Sequence, residues 1–291
     1  MINPVSFQLD FQKFGQSERI ELNPGLHVVY GESGCGKSHL IRSLAGLERA
    51  APIHFKLVEK YMPDSVQIVF QNPENQILSH TLESELAFGL ECQWTNPKQL
   101  QDELEKLKID LPFISDWGRH PVSLSGGEME MLNLVTALST NPALILIDDG
   151  LSFLDSNTKA NWVTWLQNKI GPKKTVIWFT SDVFDLEFGD SQWSLTLSGI
   201  GPVDLNQTQG KYHFKTTIGQ LGLEINNLSF SYSNDSHLLI ENWNCKIPQA
   251  RAIGLTGKNG KGKTTISQLI TEFLKPKRGH IDLNIDGNPV T

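Results

Sequence analysis

The chain has 291 residues, of which 39% are hydrophobic and 20% charged, enough to bury one core and to begin a second. Its formal net charge of -7 argues against a general nucleic-acid binder, because affinity for a phosphate backbone needs clustered Lys and Arg. We therefore expect a small-molecule or protein partner and no nucleic acid. The apolar runs are far shorter than the roughly 20 residues that cross a bilayer. The N-terminus also lacks a secretory signal, so we expect a cytoplasmic protein.

The first elements are predicted to be strands, a phosphate-binding loop and a helix. Residues 6–11 alternate between apolar and polar and predict one strand, and β-rich residues predict another over 26–30. The second strand ends where the sequence GESGCGKS begins at Gly31, and a helix is predicted over 37–47. A Gly-rich loop between a strand and a helix is the context in which this motif binds phosphate.

A second loop of the same type, GKNGKGKT, begins at Gly257. In such loops, glycines let backbone N–H groups surround phosphate oxygens, the Lys reaches the outer phosphates, and the Ser or Thr hydroxyl binds magnesium. Two complete motifs predict that the chain binds a nucleotide. The residues predicted to contact it are Gly31, Glu32, Ser33, Gly34, Cys35, Gly36, Lys37, Ser38, His39, Gly257, Lys258, Asn259, Gly260, Lys261, Gly262, Lys263, Thr264 and Thr265.

The segment after the first loop predicts a core with a helical insertion. A strand is predicted over 66–70, and QNPENQI follows it with strand-breaking residues. The pattern is then helical, and we interpret residues of about 73–138 as an inserted helical lobe. Strands that alternate with helices predict an α/β fold with a parallel sheet. Its remaining predicted elements are strands over 144–147 and 175–179, a helix over 158–169 and a closing hairpin over 195–203.

The chain also contains an internal duplication on the scale of a domain. The two loops lie 226 residues apart, and from residue 223 the order strand, turn, strand, loop, helix repeats. We predict a first domain over 1–205, a linker over 206–222 and part of a second domain over 223–291. The second copy stops before any counterpart of the lobe. We expect a piece of a longer tandem protein, with a natural remnant whose first domains pair between chains as the alternative.

The sequence LSGGE at 124–128 follows the lobe, and with the loops it resembles the nucleotide-binding subunit of ATP-binding cassette (ABC) transporters. The resemblance implies a P-loop NTPase fold with a RecA-like parallel sheet and an inserted helical subdomain. It also implies that this signature segment starts a helix and faces the γ-phosphate held by the opposite cassette, an anion site at a helix N-terminus. The signature residues are Ser125, Gly126, Gly127 and Glu128.

The same resemblance implies further ligand contacts with ATP and Mg2+. Gln71 matches the Gln that touches magnesium and the attacking water, and Asp148 in LILIDD is placed to hold magnesium opposite Ser38. Thr264 is the corresponding magnesium ligand of the second loop. The sequence SFLD, ending at Asp155, matches the D-loop, which crosses the cassette interface.

An aromatic residue of this family stacks on adenine near each phosphate loop. Tyr232 matches it in the second copy. Phe11 or Phe14 could serve in the first copy, but the spacing is short, and core packing is the role we expect for both.

Two departures from the family pattern lie at the first site. The family has Glu after the magnesium-binding Asp, to polarise water, whereas this chain has Asp149, one methylene shorter. A His that contacts the γ-phosphate is replaced by Ser181, which can donate a hydrogen bond but carries no positive charge. We infer that this site binds ATP well and hydrolyses it poorly; the alternative is that Asp149 alone suffices.

The resemblance implies an ATPase that drives transport, docked on an integral membrane subunit at the inner face of the cell membrane and paired with a second cassette in the same chain or another. VFQNPENQI resembles the energy-coupling-factor branch, whose ATPases drive uptake of vitamins or transition metals. The alternatives are a tandem cassette protein that acts on ribosomes or DNA, and a regulatory pseudoenzyme that binds ATP without turnover.

Overall fold

The computed structural model describes residues 4–47, 54–93, 96–203, 221–232, 238–250, 253–257, 262–286 and 288–289. The chain forms two compact units, Met1–Gln209 and Gly210–Thr291. The strands are β1 (Val5–Phe11), β2 (Gln16–Leu22), β3 (Gly25–Tyr30), β4 (Lys56–Tyr61), β5 (Val66–Val69), β6 (Leu144–Asp148), β7 (Thr175–Thr180), β8 (Ser191–Leu195), β9 (Ile200–Pro202), β10 (Leu221–Phe230), β11 (Ile240–Ala250), β12 (Arg278–Ile285) and β13 (Asn288–Pro289). The helices are α1 (Lys37–Leu44), α2 (Leu82–Glu91), α3 (Pro97–Ile109), α4 (Gly126–Ser139), α5 (Ser156–Ile170) and α6 (Lys263–Ile270).

A six-stranded sheet forms the core of the first unit, in the order β5-β6-β7-β3-β8-β9. All neighbouring strands are parallel except β8 and β9, which form the closing hairpin. Every residue of β6 and β7 is buried, as expected for central strands covered on both faces. The predicted α/β fold with a parallel sheet is confirmed. Because β3, β5, β6 and β7 are parallel, the loops after them meet at one edge.

A three-stranded antiparallel sheet, β2-β1-β4, packs beside this core. Alternate residues of β1 are buried, and the ring of Phe11 packs against Phe55 with centroids 5.7 Å apart. Phe14 lies in the turn after β1 and is 54% exposed. Core packing was therefore the right expectation for Phe11 and the wrong one for Phe14, because the strand ends before Phe14 and the turn carries its side chain into solvent.

The helix after the first loop is shorter than predicted. It ends at Leu44, and Gly46 has a positive φ of 76°. The N–H of Leu47 donates to the carbonyl of Arg42, and the N–H of Gly46 donates to that of Ser43. This is a Schellman C-cap, which a left-handed glycine permits, so the glycine ends the helix inside the predicted range.

Three helices, α2, α3 and α4, form the lobe inserted between β5 and β6. Side chains of Thr81, Asn96 and Ser125 cap their N-termini, where the first backbone N–H groups have no partner within the helix. Leu104 of α3 is buried and belongs to the hydrophobic core of the first unit. In the described ranges, no helix has the length and apolar character that crossing a membrane requires.

The second unit contains α6 and a four-stranded antiparallel sheet in the order β11-β10-β12-β13. Its first three strands have the same order as β2-β1-β4 of the first unit. Most of the predicted linker, 206–222, lies outside the described residues, and β10 begins at Leu221, one residue before the predicted end of the linker. Residues 253–257 form no strand before the second loop. Their counterpart β3 pairs with β7 and β8, and the described part of the second unit has no such parallel neighbours.

Candidate functional site

The first phosphate loop joins β3 to α1 in a conformation that requires glycine. Gly34 and Gly36 have φ of 87° and 106°, a region that L-residues with a Cβ avoid. A Cβ on Gly36 would also lie 2.9 Å from the ring of Phe55. The N–H of Gly31 donates to the carbonyl of Thr180 at 3.0 Å, which fixes the start of the loop to β7.

Lys37 follows the loop and is buried beneath it. Its Nζ donates to the carbonyl of Gly31 at 2.7 Å and to the hydroxyl of Ser181 at 2.9 Å, and it lies 3.8 Å from Oδ2 of Asp149. The ammonium group therefore supplies positive charge at the point where the loop and the ends of β6 and β7 converge.

A pocket of about 280 Å³ lies beside this loop and brings the predicted magnesium ligands together. Ser38, Gln71 and Asp148 line it, although they come from three different segments. Asp148 Oδ1 is buried without a hydrogen-bond partner. Burial raises the pKa of Asp148, and the hydrogen bond from the Ser38 hydroxyl opposes that rise. Oxygen ligands around a buried carboxylate fit a magnesium ion, which would satisfy the unpaired oxygen.

Asp149 and Ser181 bond directly to each other. The N–H of Ser181 donates to Asp149 Oδ1 at 2.6 Å, and its hydroxyl donates to Oδ2 at 2.8 Å. Asp149 has a positive φ of 47°, which non-glycine residues rarely adopt. Both carboxylate oxygens of the group expected to polarise water are therefore engaged by the residue in the position of the family's His.

The signature segment begins α4 with a capping box. Glu128 accepts from the N–H of Ser125 at 2.8 Å, and the Glu128 N–H donates to the Ser125 hydroxyl oxygen at 3.4 Å. This reciprocal pair explains the Glu at the end of LSGGE, because a side chain at the third helical position satisfies the cap N–H. Gly126 and Gly127 form the first turn, and a Cβ on Gly126 would lie 3.0 Å from the ring of Phe153.

The D-loop, residues 152–155, ends in another helix cap. Oδ1 of Asp155 accepts from the N–H of Thr158 at 3.1 Å at the start of α5. That bond lowers the pKa of Asp155. The cap fixes where the D-loop enters α5.

The second loop has the same closure as the first in its described residues. Lys263 Nζ donates to the carbonyl of Gly257 at 2.6 Å, and Gly262 precedes α6 with a φ of 82°. Tyr232 is 65% exposed, and its hydroxyl lies 2.6 Å from that of Thr265. Thr264 lies in the first turn of α6. The predicted contacts at Lys258, Asn259, Gly260 and Lys261 lie outside the described residues.

A model of the family described as ABC transporter matches the chain in two stretches, residues 19–152 and 240–291. Together they cover more than half of the sequence and include both lysines of the phosphate loops. The chain belongs to the ABC transporter family.

Similar proteins come from several bacteria. The energy-coupling factor transporter ATP-binding protein EcfA1 of Mycoplasma genitalium is 26% identical over 170 residues, which are 56% of this chain and 62% of that protein. The sulfate/thiosulfate import ATP-binding protein CysA of Gloeobacter violaceus is 32% identical over 54% of this chain and 47% of its own length. The match therefore spans less than two thirds of either relative.

A solved structure shares the fold of this ABC family member. It is cbiO1 from Clostridium perfringens, described as part of the ABC transporter complex cbiONQ. The TM-score is 0.55 at 17% identity, and the match covers 69% of this chain and 86% of that one. At this identity the likeness shows the fold alone, a P-loop ATPase domain with a parallel sheet core.

Two buried polar groups that sequence reasoning missed also shape this ABC site. Glu130 lies within the apolar sequence of α4 and accepts from the N–H groups of Ser152 and Phe153. Lys159 of α5 donates to Asp185 at 2.7 Å. A carboxylate on an apolar helix is the signal that could have revealed Glu130, because a buried charge requires partners.

Proposed function

We propose that this chain is the ATP-binding and ATP-hydrolysing subunit of an ABC importer of the energy-coupling-factor type, which drives uptake of a small solute across a membrane. It works at the cytoplasmic face of that membrane, bound to an integral membrane subunit and paired with a second cassette. The likeness to EcfA1 and the sequence VFQNPENQI support this branch.

One observation carries the proposal of ATP chemistry. The pocket beside the first loop gathers Ser38, Gln71 and Asp148 around a buried carboxylate oxygen without a partner. A buried carboxylate oxygen usually has a partner, and a cation bound between these side chains would supply one. The arrangement suits the divalent cation that accompanies ATP.

Each residue then has a definite role in phosphoryl transfer to water. The glycine-lined loop and Lys37 hold the phosphates, and Ser38, Gln71 and Asp148 hold magnesium, which when bound neutralises phosphate charge. Asp149 orients the attacking water. The signature residues serve a nucleotide held by another phosphate loop, so that ATP joins two cassettes and its hydrolysis releases them.

We propose that the first site hydrolyses ATP slowly. The hydroxyl and N–H of Ser181 each donate to one oxygen of Asp149, and these bonds hold the carboxylate toward Ser181 and leave it fewer acceptor sites for water. Its side chain is one methylene shorter than Glu, and a displacement of about 1 Å can cost a hundredfold in rate. The same contact favours the second candidate function, a regulatory ATP-binding subunit without turnover.

A groove between the core and the helical lobe is the proposed docking site for the membrane subunit. It has a volume of about 520 Å³ and is lined by residues of β5, α2 and α4. Three exposed apolar side chains, Leu47, Leu78 and Phe88, border it. Glu85 holds the segment that carries Leu78 by accepting from the N–H groups of Leu78 and Ser79. An apolar groove beside the magnesium pocket would let docking respond to the nucleotide.

Binding and turnover of Mg-ATP test the proposal. We expect magnesium-dependent ATP binding that Lys37→Ala and Lys263→Ala together abolish, whereas the surface variant Lys106→Ala retains it. Phosphate release separates an ATPase from the regulatory alternative. Absence of magnesium-dependent binding by the folded wild-type chain would refute both. Co-purification of a stoichiometric integral membrane subunit that Leu78→Ser disrupts would support the transporter assignment.

A further inference from the structure

Glu130 connects the signature helix α4 to the D-loop. Its Oε1 accepts from the N–H of Ser152 at 3.0 Å, and its Oε2 accepts from the N–H of Phe153 at 3.1 Å. The Glu130 residue is only 2% exposed. A buried carboxylate that uses one oxygen for each of two consecutive N–H groups fixes the direction of that backbone.

A second contact joins the same two segments. The ring of Phe153 lies so close to Gly126 that a Cβ there would be 3.0 Å from Cδ1 and 3.1 Å from Cγ. The first turn of α4 and the D-loop are therefore in van der Waals contact on one side and joined by Glu130 on the other. Neither contact uses Ser125, which is occupied by its capping box.

We propose that Glu130 is a positioning residue that holds the D-loop against the signature helix, so that both segments meet the opposite cassette as one unit, and that protonation of Glu130 releases the D-loop. The effect of Glu130 on turnover rests on the proposed ATPase function. The contact itself does not depend on ATP hydrolysis.

The surroundings of Glu130 make protonation accessible near neutral pH. Burial raises its pKa to about 7, although the bonds from Phe153 and Ser152 and the charge of Lys159 oppose the rise. Lys159 of α5 is itself paired with Asp185 and lies 3.9 Å from Asp182.

Two other carboxylates of the same two segments accept hydrogen bonds elsewhere. Glu128 of the same helix accepts from Ser125, and Asp155 of the D-loop accepts from Thr158. A neutral Glu130 carries a hydroxyl on one oxygen, which cannot face an N–H donor as well as the carboxylate does. Protonation therefore weakens one of the two bonds.

The direct test is a pH titration of the backbone amides of Ser152 and Phe153 by NMR in the full chain. We expect their shifts to titrate with a midpoint near pH 7 and to lose that transition in Glu130→Gln. Glu85→Gln is the matched control, because Glu85 is also buried and accepts from two consecutive N–H groups. It should leave the titration in place. Wild-type amides that do not titrate between about pH 6 and 8 would overturn the proposal, and this result requires no variant.

Turnover of Mg-ATP tests the positioning role. At pH 8, Glu130→Gln should lower the rate about tenfold, the size expected for a lost charge-assisted hydrogen bond. At pH 6 the wild-type carboxyl is also neutral, so the two proteins should differ by less than about twofold. An equal loss at both pH values would indicate a structural role only and would contradict the proposal. A wild-type chain with no turnover but titrating amides would instead refute the proposed ATPase function.

Discussion

Asp149 and Ser181 form a closed pair at the place where water would be activated. Two hydrogen bonds of 2.6 and 2.8 Å connect one side chain to the other residue's backbone and hydroxyl. Ser181 also accepts from Lys37 at 2.9 Å. One serine thus contacts both the group that would hold phosphate and the group that would orient water. Its small size lets Asp149 fold back toward β7, which a bulkier imidazole would hinder.

Replacing the pair with the family's residues should raise hydrolysis at the first site. We expect the double variant Asp149→Glu with Ser181→His to increase the single-turnover rate by about tenfold or more, because the longer carboxylate reaches further and the imidazole can carry charge. The measurement is made in a Lys263→Ala background, so that the first loop alone binds ATP. The control Asp149→Asn, which keeps the shape of the side chain but removes its charge, should abolish the residual rate. A wild-type rate that the double variant does not exceed would show that Asp149 alone suffices.

The buried carboxyl of Glu130 leads to a second prediction, which concerns the folding stability of the first unit. Its pKa rises from 4.5 to about 7 on folding. Between pH 4.5 and 7 the carboxyl is therefore largely ionised in the unfolded chain but still largely protonated in the folded chain. Stability contributed by this group therefore falls as pH rises from about 4.5 to 7. Glu130→Gln removes the buried charge and should stabilise the first unit by about 3 kcal/mol at pH 8 and by almost nothing near pH 4.5. Urea unfolding at both pH values measures this; a variant less stable than wild type at pH 8 would contradict it.

At the scale of elements, a buried ion pair holds the end of β7 against α5. Lys159 donates to Asp185 Oδ1 at 2.7 Å, and the hydroxyl of Thr180 donates to Oδ2 at 2.6 Å. Thr180 is the last residue of β7 and immediately precedes Ser181. The position of Ser181 in the site therefore depends on the Lys159–Asp185 pair, although neither residue of the pair is predicted to contact ATP or magnesium.

Breaking that pair should destabilise the first unit strongly. Lys159→Met leaves Asp185 buried without a cation, which costs about 3 to 5 kcal/mol. Burial already raises the pKa of Asp185, so the loss should be greater at pH 8 than at pH 5. The double variant Lys159→Met with Asp185→Leu should recover most of the stability. Lys106→Met, which breaks only the exposed bridge to Glu103, should change the urea midpoint little.

Elements that are determined by local sequence could be predicted, whereas contacts between distant segments could not. Buried strands such as β6 and β7 were predictable because continuous apolar runs leave few alternatives, and the phosphate loops because their spacing is specific. The early end of α1 depends on the C-cap at Gly46. From the sequence alone, this glycine could not be distinguished from one that is tolerated inside a helix. The contact between Asp149 and Ser181 joins segments distant in sequence, which no local pattern reports. The apolar sequence around Glu130 indicates that this carboxylate needs partners, but not that they lie in the D-loop.

At the scale of the molecule, both units contain a phosphate loop that a lysine closes, but only the first loop follows a strand paired within a parallel sheet in the described residues. In the first, Gly31 donates to Thr180 of β7, and Lys37 contacts Ser181. In the second, Lys263 closes its loop on Gly257 at 2.6 Å, but residues 253–257 form no strand. A parallel strand needs neighbours to pair its backbone groups. We therefore expect the first loop to be the better supported by the segment that precedes it.

This difference predicts two ATP sites of unequal affinity in the chain. Isothermal titration with Mg-ATP should give a tight and a weak event, since residues 253–257 lack the strand pairing that holds β3 before the first loop, and fixing them on binding would reduce affinity. Lys37→Ala should remove the tight event, and Lys263→Ala should remove the weak one. The two lysines form matched controls, because each closes its loop on the carbonyl of the first glycine. Equal affinities for both events would show that the strand before the loop is not needed, since the second loop would then bind as well as one held by β3.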